Sequence, residues 1–326
     1  MRARRPPDFF LIGAPKAGTS ALHAALAQHP DLFLSRVKEP KYYMCGDSPP
    51  PAYKGPGDAH SSQEWVWQRE RYLALFDEAP DTMLCGEATP FYLYNRDARR
   101  RLAVDNPEAK LIAVLRDPVD RAYSNWMHLW MDGLEPCGDL VEAVRRERTR
   151  IDAGWAPFWH YRRLGRYGEQ LEHLYALFPR EQVHVLRYRE LVESPVGTLD
   201  AVCRFLGVRT GVLDGARAEN SKPYVTPSRR ARVLARGVRA GAALGAYAPP
   251  QTWRALERRA LRMLQRGGAE RPVLDAATRR ELVADFAADI ALLTRVTGRD
   301  HSDWLGETSR GQFGNRTPAQ QSRTAP

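Results

Sequence analysis

Cysteine is scarce in this chain of 326 residues: Cys45, Cys85, Cys137 and Cys203 lie far apart, with no CxxC pair. That excludes a disulfide framework and the common zinc spacings, and a reduced, cytoplasmic chain is the expectation. Long apolar runs are missing too. No stretch of eighteen apolar residues occurs, and behind the basic start the apolar run extends only from Phe9 to Gly13. Neither a membrane span nor a signal segment is therefore expected. Lysine is the third shortage, with six among 49 basic residues (Lys16, Lys38, Lys41, Lys54, Lys110 and Lys222), three of them between positions 16 and 41. Where arginine has taken nearly every generic positive charge, a retained ammonium points to a task that needs its compact shape.

What the chain does have is apolar mass and a localised charge. Its 43% apolar content is enough for a substantial core and excludes wholesale disorder. The net charge of +10 is concentrated: positions 227–272 hold eleven arginines against two glutamates, a local +9. Such a segment attracts something anionic, such as an acidic glycan, a membrane surface or nucleic acid. Prolines and glycines interrupt it and no aromatic stacking pattern runs through it, so a nucleic-acid reader is not expected. A helical appendage near an acceptor mouth or in peripheral contact with a membrane is.

Strand and helix patterns alternate along the first two hundred residues. Asp8–Gly13 reads as a buried strand, followed by a small-residue turn and a helix from about Thr19 to Gln28. Further strands are expected at Thr82–Gly86, Lys110–Leu115 and Gln182–Tyr188, with helices at 119–131, 139–150, 165–178 and 190–206, the last restarted at Pro195. Alternation of this kind predicts a doubly wound α/β fold: a P-loop-type central parallel sheet flanked by helices, with a C-terminal helical extension. Ala276–Thr297 is an amphipathic helix suited to packing back on that core. The resulting division is an α/β core over 1–226, an Arg-rich helical extension over 227–305, and a disordered tail over 306–326.

Two loops carry the chemistry. Gly13 and Gly18 keep the glycine spacing of a Walker A loop, but Thr19 stands where its lysine belongs and Lys16 lies inside the loop. Such a loop can curl its N–H groups around an anion, with a helix N-terminus behind it, or be no more than a tight strand-to-helix turn. Arg116 ends the clearest strand, at the edge where open α/β sheets take ligands, and Ser124 lies two helical turns further on. Arginine and hydroxyl there can clamp one phosphate, or the Arg116–Asp117 pair can simply cap a helix.

Pro15–Ser20, Lys38-Glu39-Pro40, and Arg116 with Ser124 resemble the motifs of sulfotransferases that use 3′-phosphoadenosine 5′-phosphosulfate (PAPS), most of all the heparan sulfate sulfotransferase branch and its bacterial relatives. Gly86–Tyr92, Arg121–His128, Tyr188–Leu191, Phe205–Gly207 and Gly298–Trp304 extend that resemblance over most of the chain. It implies that Lys16, Ala17, Gly18, Thr19 and Ser20 hold the 5′-phosphosulfate, that Arg116 and Ser124 bind the 3′-phosphate, and that Tyr188 lies near the nucleotide. Lys16 would meet the charge developing on the bridging oxygen, and Glu39 would be the general base. His128, one turn beyond Ser124, is the competing base, and Glu87 a weaker candidate for the acceptor pocket. The product would be adenosine 3′,5′-bisphosphate (PAP), and no metal is implied. The acceptor would be a hydroxyl of a glycan, glycolipid or secondary metabolite. The donor-covering segment has its nearest counterpart in Asn220–Arg230. The alternative is a P-loop kinase in which Asp117 mimics a Walker B acid and Thr19 or Ser20 holds magnesium; the misplaced lysine argues against it.

Overall fold

The structure, a computed structural model, describes residues 6–56, 65–215 and 274–306. The arginine-rich segment 227–272, the stretch Asn220–Arg230 and the tail from 307 onward lie outside them.

Five strands form one parallel sheet in the order β2-β3-β1-β4-β5: β1 Phe9–Gly13, β2 Leu32–Leu34, β3 Leu84–Ala88, β4 Lys110–Leu115 and β5 Val183–Arg187. β1 is buried along its whole length and β4 at all but its first residue, which explains their uninterrupted apolar sequences: helices cover both faces. Among the described residues, the helices of eight residues or more are α1 Thr19–Leu26, α2 Arg96–Asp105, α3 Pro118–Met131, α4 Tyr167–Tyr175, α5 Pro195–Leu206, α6 Ala276–Ala284 and α7 Ala287–Thr297. The order makes β1 and β4 neighbours whose onward connections diverge: β1 leads through α1 to β2 on one side, β4 to β5 on the other. Ligands of open α/β sheets bind at such a divergence, beyond the carboxyl ends of the strands. Here that place is occupied by the loop after Gly13 and by Arg116. A register shift between Leu11 and Gly13 accommodates one extra residue of β1 against β4, and the N–H of Ala14 donates to the carbonyl of Val114 at 2.7 Å. Such an irregularity re-aims the chain as it leaves the sheet.

Most expected elements are present, with instructive differences. The helix expected over 139–150 is two, Leu140–Arg145 and Glu147–Asp152. Ala276–Thr297 also breaks, at Asp285–Phe286, into α6 and α7. β3 begins two residues later than expected, at Leu84, and takes in Glu87 and Ala88, so the motif Gly86–Tyr92 starts inside the sheet rather than after it. β2, three residues long, was not anticipated.

α6 and α7 are joined to the sheet layer by polar anchors as well as apolar ones. Arg279, 1% exposed, pairs with both Asp117 and Asp120 at the start of α3. From α7, Asp289 accepts the N–H groups of Gly168 (2.9 Å) and Glu169 (3.0 Å), capping the first turn of α4 from outside the helix. Phe286, Ile290 and Leu293 complete the packing as buried apolar residues.

Candidate active site

The loop after β1 delivers Lys16 in a left-handed backbone conformation (φ 66°), and Gly18 at φ 95° starts α1 without any side-chain cap. The first amides of α1 thus point into the loop with no side chain of their own helix to satisfy them. Across the sheet edge, Arg116 reaches this loop: its Nη1 donates to the carbonyl of Lys16 at 3.5 Å. The same guanidinium lies 4.9 Å from the ring centroid of Tyr188, the first residue after β5. Tyr188 closes the other side of the loop, because a Cβ on Gly18 would stand 2.6 Å from its ring. Lys16, Gly18, Arg116 and Tyr188, which are 172 positions apart at the extremes, therefore form one cluster at the divergence of β1 and β4. Within it, the buried Nε of Arg116 has no hydrogen-bond partner among the described residues.

α3 follows from Asp117, whose carboxylate accepts the N–H groups of Val119 (2.9 Å) and Asp120 (3.1 Å) while Pro118 occupies the first turn. From Arg121 to Met127 every residue except Ser124 is buried; His128 is the next partly exposed one, four positions on. Ser124 and His128 hence share the open face of α3. His128 is engaged further along: its Nε2 faces Asp132 at 3.5 Å and its ring packs edge-on against Phe158 at 5.5 Å.

The Lys38–Lys41 segment forms the opposite rim. Lys38 donates from Nζ to the hydroxyl of Ser20, in the first turn of α1, and stands 3.9 Å from the Glu39 carboxylate. Glu39 and Lys41 both adopt left-handed backbone angles (φ 59° and 60°). Among the described residues, three of the four non-glycine positions with such angles are Lys16, Glu39 and Lys41. Strain of this kind persists only where surrounding structure imposes it, and β3 does so: the N–H of Glu39 donates to the carbonyl of Ala88 at 3.0 Å, and that of Lys41 to the hydroxyl of Thr89 at 3.3 Å. The Lys41 ammonium lies 5.4 Å from the centroid of the Trp65 ring.

Glu87 differs from its expected place. It is 1% exposed, so it lies beneath the rim and not on an acceptor surface. Burial, only partly offset by the hydroxyls around it, pushes its carboxyl up to about 7, and the charge of Glu39 adds to that rise.

A family model described as the sulfotransferase family matches residues 7–211. The chain belongs to that family. A solved sulfotransferase from Alicyclobacillus acidocaldarius is 30% identical and superimposes with a TM-score of 0.71, over 93% of this chain and all of its own. Human heparan sulfate glucosamine 3-O-sulfotransferase 6 is 30% identical over 213 residues, 65% of this chain and 55% of its own. A mouse bifunctional heparan sulfate N-deacetylase/N-sulfotransferase 3 is 29% identical over 213 residues, 63% of this chain and 22% of its own. The chain thus spans about half the length, or less, of these curated relatives. The sulfotransferase assignment leaves the kinase alternative without support, and Asp117, its Walker B candidate, is taken up by helix capping and by Arg279.

Two participants escaped the sequence reading in their structural roles. Lys38 links the donor-side loop to the Glu39 rim, a role for which the scarcity of lysine was the available signal. Arg279, remote in sequence, holds Asp117 beside Arg116, and nothing distinguishes it in sequence from its arginine neighbours. Among the described residues, no group of three or more His, Cys, Asp or Glu side chains is arranged to hold a metal ion, and no helix is long and apolar enough to cross a membrane.

Proposed function

We propose that this chain transfers a sulfuryl group from PAPS to a hydroxyl of a glycan, glycolipid or small-molecule acceptor, with Glu39 as general base. The observation that carries this reading is the cluster at the divergence of β1 and β4, where Lys16, Gly18, Arg116 and Tyr188 meet. The donor set suits a nucleotide with two anionic ends: an uncapped helix start, a loop lysine, and an arginine whose buried Nε lacks a hydrogen-bond partner among the described residues.

PAPS supplies the activated sulfuryl group. Lys16 with the amides and hydroxyls of Ala17–Ser20 binds the 5′-phosphosulfate end and meets negative charge as it develops at the bridging oxygen. Arg116 and Ser124 bind the 3′-phosphate, the group that separates PAPS from ATP, and Tyr188 lies against the nucleotide. Glu39 accepts the proton of the acceptor hydroxyl at its carboxylate, with Lys38 holding the neighbouring positive charge. His128 is the second candidate for that proton. The reaction as proposed uses no metal and takes place in the cytoplasm; the arginine-rich segment would serve acceptor or membrane-surface contact.

Titration calorimetry with PAP tests the proposal. Wild-type protein is expected to bind it, and Arg116→Ala combined with Ser124→Ala to lose most of that affinity. Absence of heat with the wild type, or unchanged affinity in the double variant, would sink the reading.

A further inference from the structure

Two motifs far apart in sequence are joined position by position. In Lys38–Tyr43, the N–H groups of Glu39, Lys41 and Tyr43 each find a partner in Ala88–Tyr92: the Ala88 carbonyl at 3.0 Å, the Thr89 hydroxyl at 3.3 Å and the Tyr92 hydroxyl at 3.3 Å. The last of these partners is itself held. Tyr92 donates its hydroxyl proton to Oε2 of Glu87 at 3.0 Å, and Tyr72 donates to the same oxygen at 2.9 Å. Glu87, Tyr72 and Tyr92 are all essentially inaccessible to water, and the Thr89 hydroxyl also faces the Glu87 carboxyl. A buried carboxyl without a cation is costly to keep, so a purely structural role would be served as well by an amide or an apolar side chain.

We infer that Glu87 is a positioning residue for the base: through Tyr92 and Tyr43 it fixes the backbone that presents Glu39, and its own ionisation places a second negative charge behind that base. The inference rests on the proposed role of Glu39. Glu87 faces Tyr72 from the helix Arg69–Leu73, Tyr92 and Thr89 from the turn after β3, and Glu39 from the rim, with Tyr43 packed edge-on against both tyrosines. The flanking strands bring only apolar residues and glycine: Phe9–Gly13 and Leu32–Leu34. Because the carboxyl is raised to about 7 by burial, it is neutral in mildly acidic solution and charged above neutrality. A charge arriving there strengthens the pull on the proton that the acceptor gives up, so kcat should step upward through about pH 7 on top of any limb due to Glu39 itself.

Four variants test this, with PAP calorimetry run first on each so that a failed donor site is recognised separately. Glu87→Ala should lower kcat about 10–100-fold, the range expected when a reacting group is misplaced by about an ångström, while PAP affinity stays within about twofold (a ratio below the tenfold that 1.4 kcal/mol represents). Glu87→Gln should restore most of kcat in acid but lose the step near pH 7. Independently of turnover, ¹³C NMR of labelled glutamate side chains should show Glu87 titrating near pH 7, and at lower pH in Glu39→Gln, where the like charge is gone. Should Glu87→Ala fail to fold, Tyr92→Phe removes only the hydroxyl joining Glu87 to Tyr43 and should reproduce the loss in kcat. Wild-type kcat in Glu87→Ala or Tyr92→Phe, an unaltered pH profile in Glu87→Gln, or a Glu87 titration indifferent to Glu39→Gln would each overturn the inference.

Discussion

Arg279 pairs with Asp117, the residue that follows Arg116, and so a side chain from beyond residue 273 fixes the start of the helix on which Ser124 sits. Its second partner, Asp120 at 3.1 Å, makes the guanidinium the common counterion of two carboxylates. Burial pushes the Asp117 carboxyl above the usual carboxylate range, with the nearby Asp120 charge adding to the rise and Arg279 opposing it.

Removing that counterion leaves two acidic groups facing each other away from water. Arg279→Met is therefore expected to destabilise the fold by about 3–5 kcal/mol, the range for breaking a buried pair by deleting one partner. Urea denaturation measures this, and a loss below 1 kcal/mol would show that the pair is not the anchor described above.

Glu39→Gln separates chemistry from donor binding. It keeps the side-chain shape and the backbone bond to Ala88, so PAP affinity should be unchanged while kcat falls by about 10²–10⁴-fold, the range for a positioned general base. Radiolabelled PAPS turnover gives the answer, and equal kcat in variant and wild type removes Glu39 from the role. Lys16→Ala in the same assay should abolish turnover.

Glu87 imposes a pH dependence on stability whose sign is fixed. Its folded value of about 7 lies above the 4.5 of an exposed glutamate, so its contribution is fully present below about pH 4.5 and is lost as pH rises through 7. The loss should amount to on the order of 3 kcal/mol. His160, depressed to about 4 by burial, acts oppositely: its contribution is present above 6.5 and lost as pH falls towards 4. Denaturation of wild type and Glu87→Gln at matched pH cancels the His160 part. The difference between them should shrink steadily between pH 7 and 4.5; a constant difference contradicts the assignment.

Gly18→Ala tests the wall between loop and Tyr188. The new Cβ would have to displace the tyrosine ring and adopt φ 95°, whereas Gly298→Ala, at φ 68° with nothing within 4 Å, meets backbone strain alone. Gly298→Ala is expected to cost about 1–2 kcal/mol, and Gly18→Ala more, with weakened PAP binding because Arg116 loses its stacked partner. Equal costs and unaltered PAP affinity in both variants would argue that Tyr188 has no part in the site.

The sheet was legible because buried parallel strands write themselves as unbroken apolar runs: Lys110–Leu115 is a strand in the structure at the bounds expected from sequence. β2 was not, since three residues hold too few side chains to show a period. The helix break at Asp285–Phe286 was hidden for the opposite reason, because apolar periodicity continues across it while the backbone does not, and the break at Arg146 falls in the polar run Arg145–Arg150, which shows no apolar period to interrupt. In the site, the loop and arginine stood out by their place after strands. The burial of Glu87 did not, because one glutamate in a sequence looks the same whether water or three tyrosines surround it. Left-handed angles at Lys16, Glu39 and Lys41 were equally invisible, being imposed by hydrogen bonds from elsewhere in the chain.

The cap that Asp289 provides to α4 separates two boundaries that are easily confused. The family model matches residues 7–211, yet the first turn of α4, well inside that stretch, depends on a carboxylate 121 positions beyond Gly168. A protein ended after Thr226 would retain the whole of that matched stretch and leave the amides of Gly168 and Glu169 without that acceptor. The stretch matched by the family model is shorter than the stretch whose side chains hold it together.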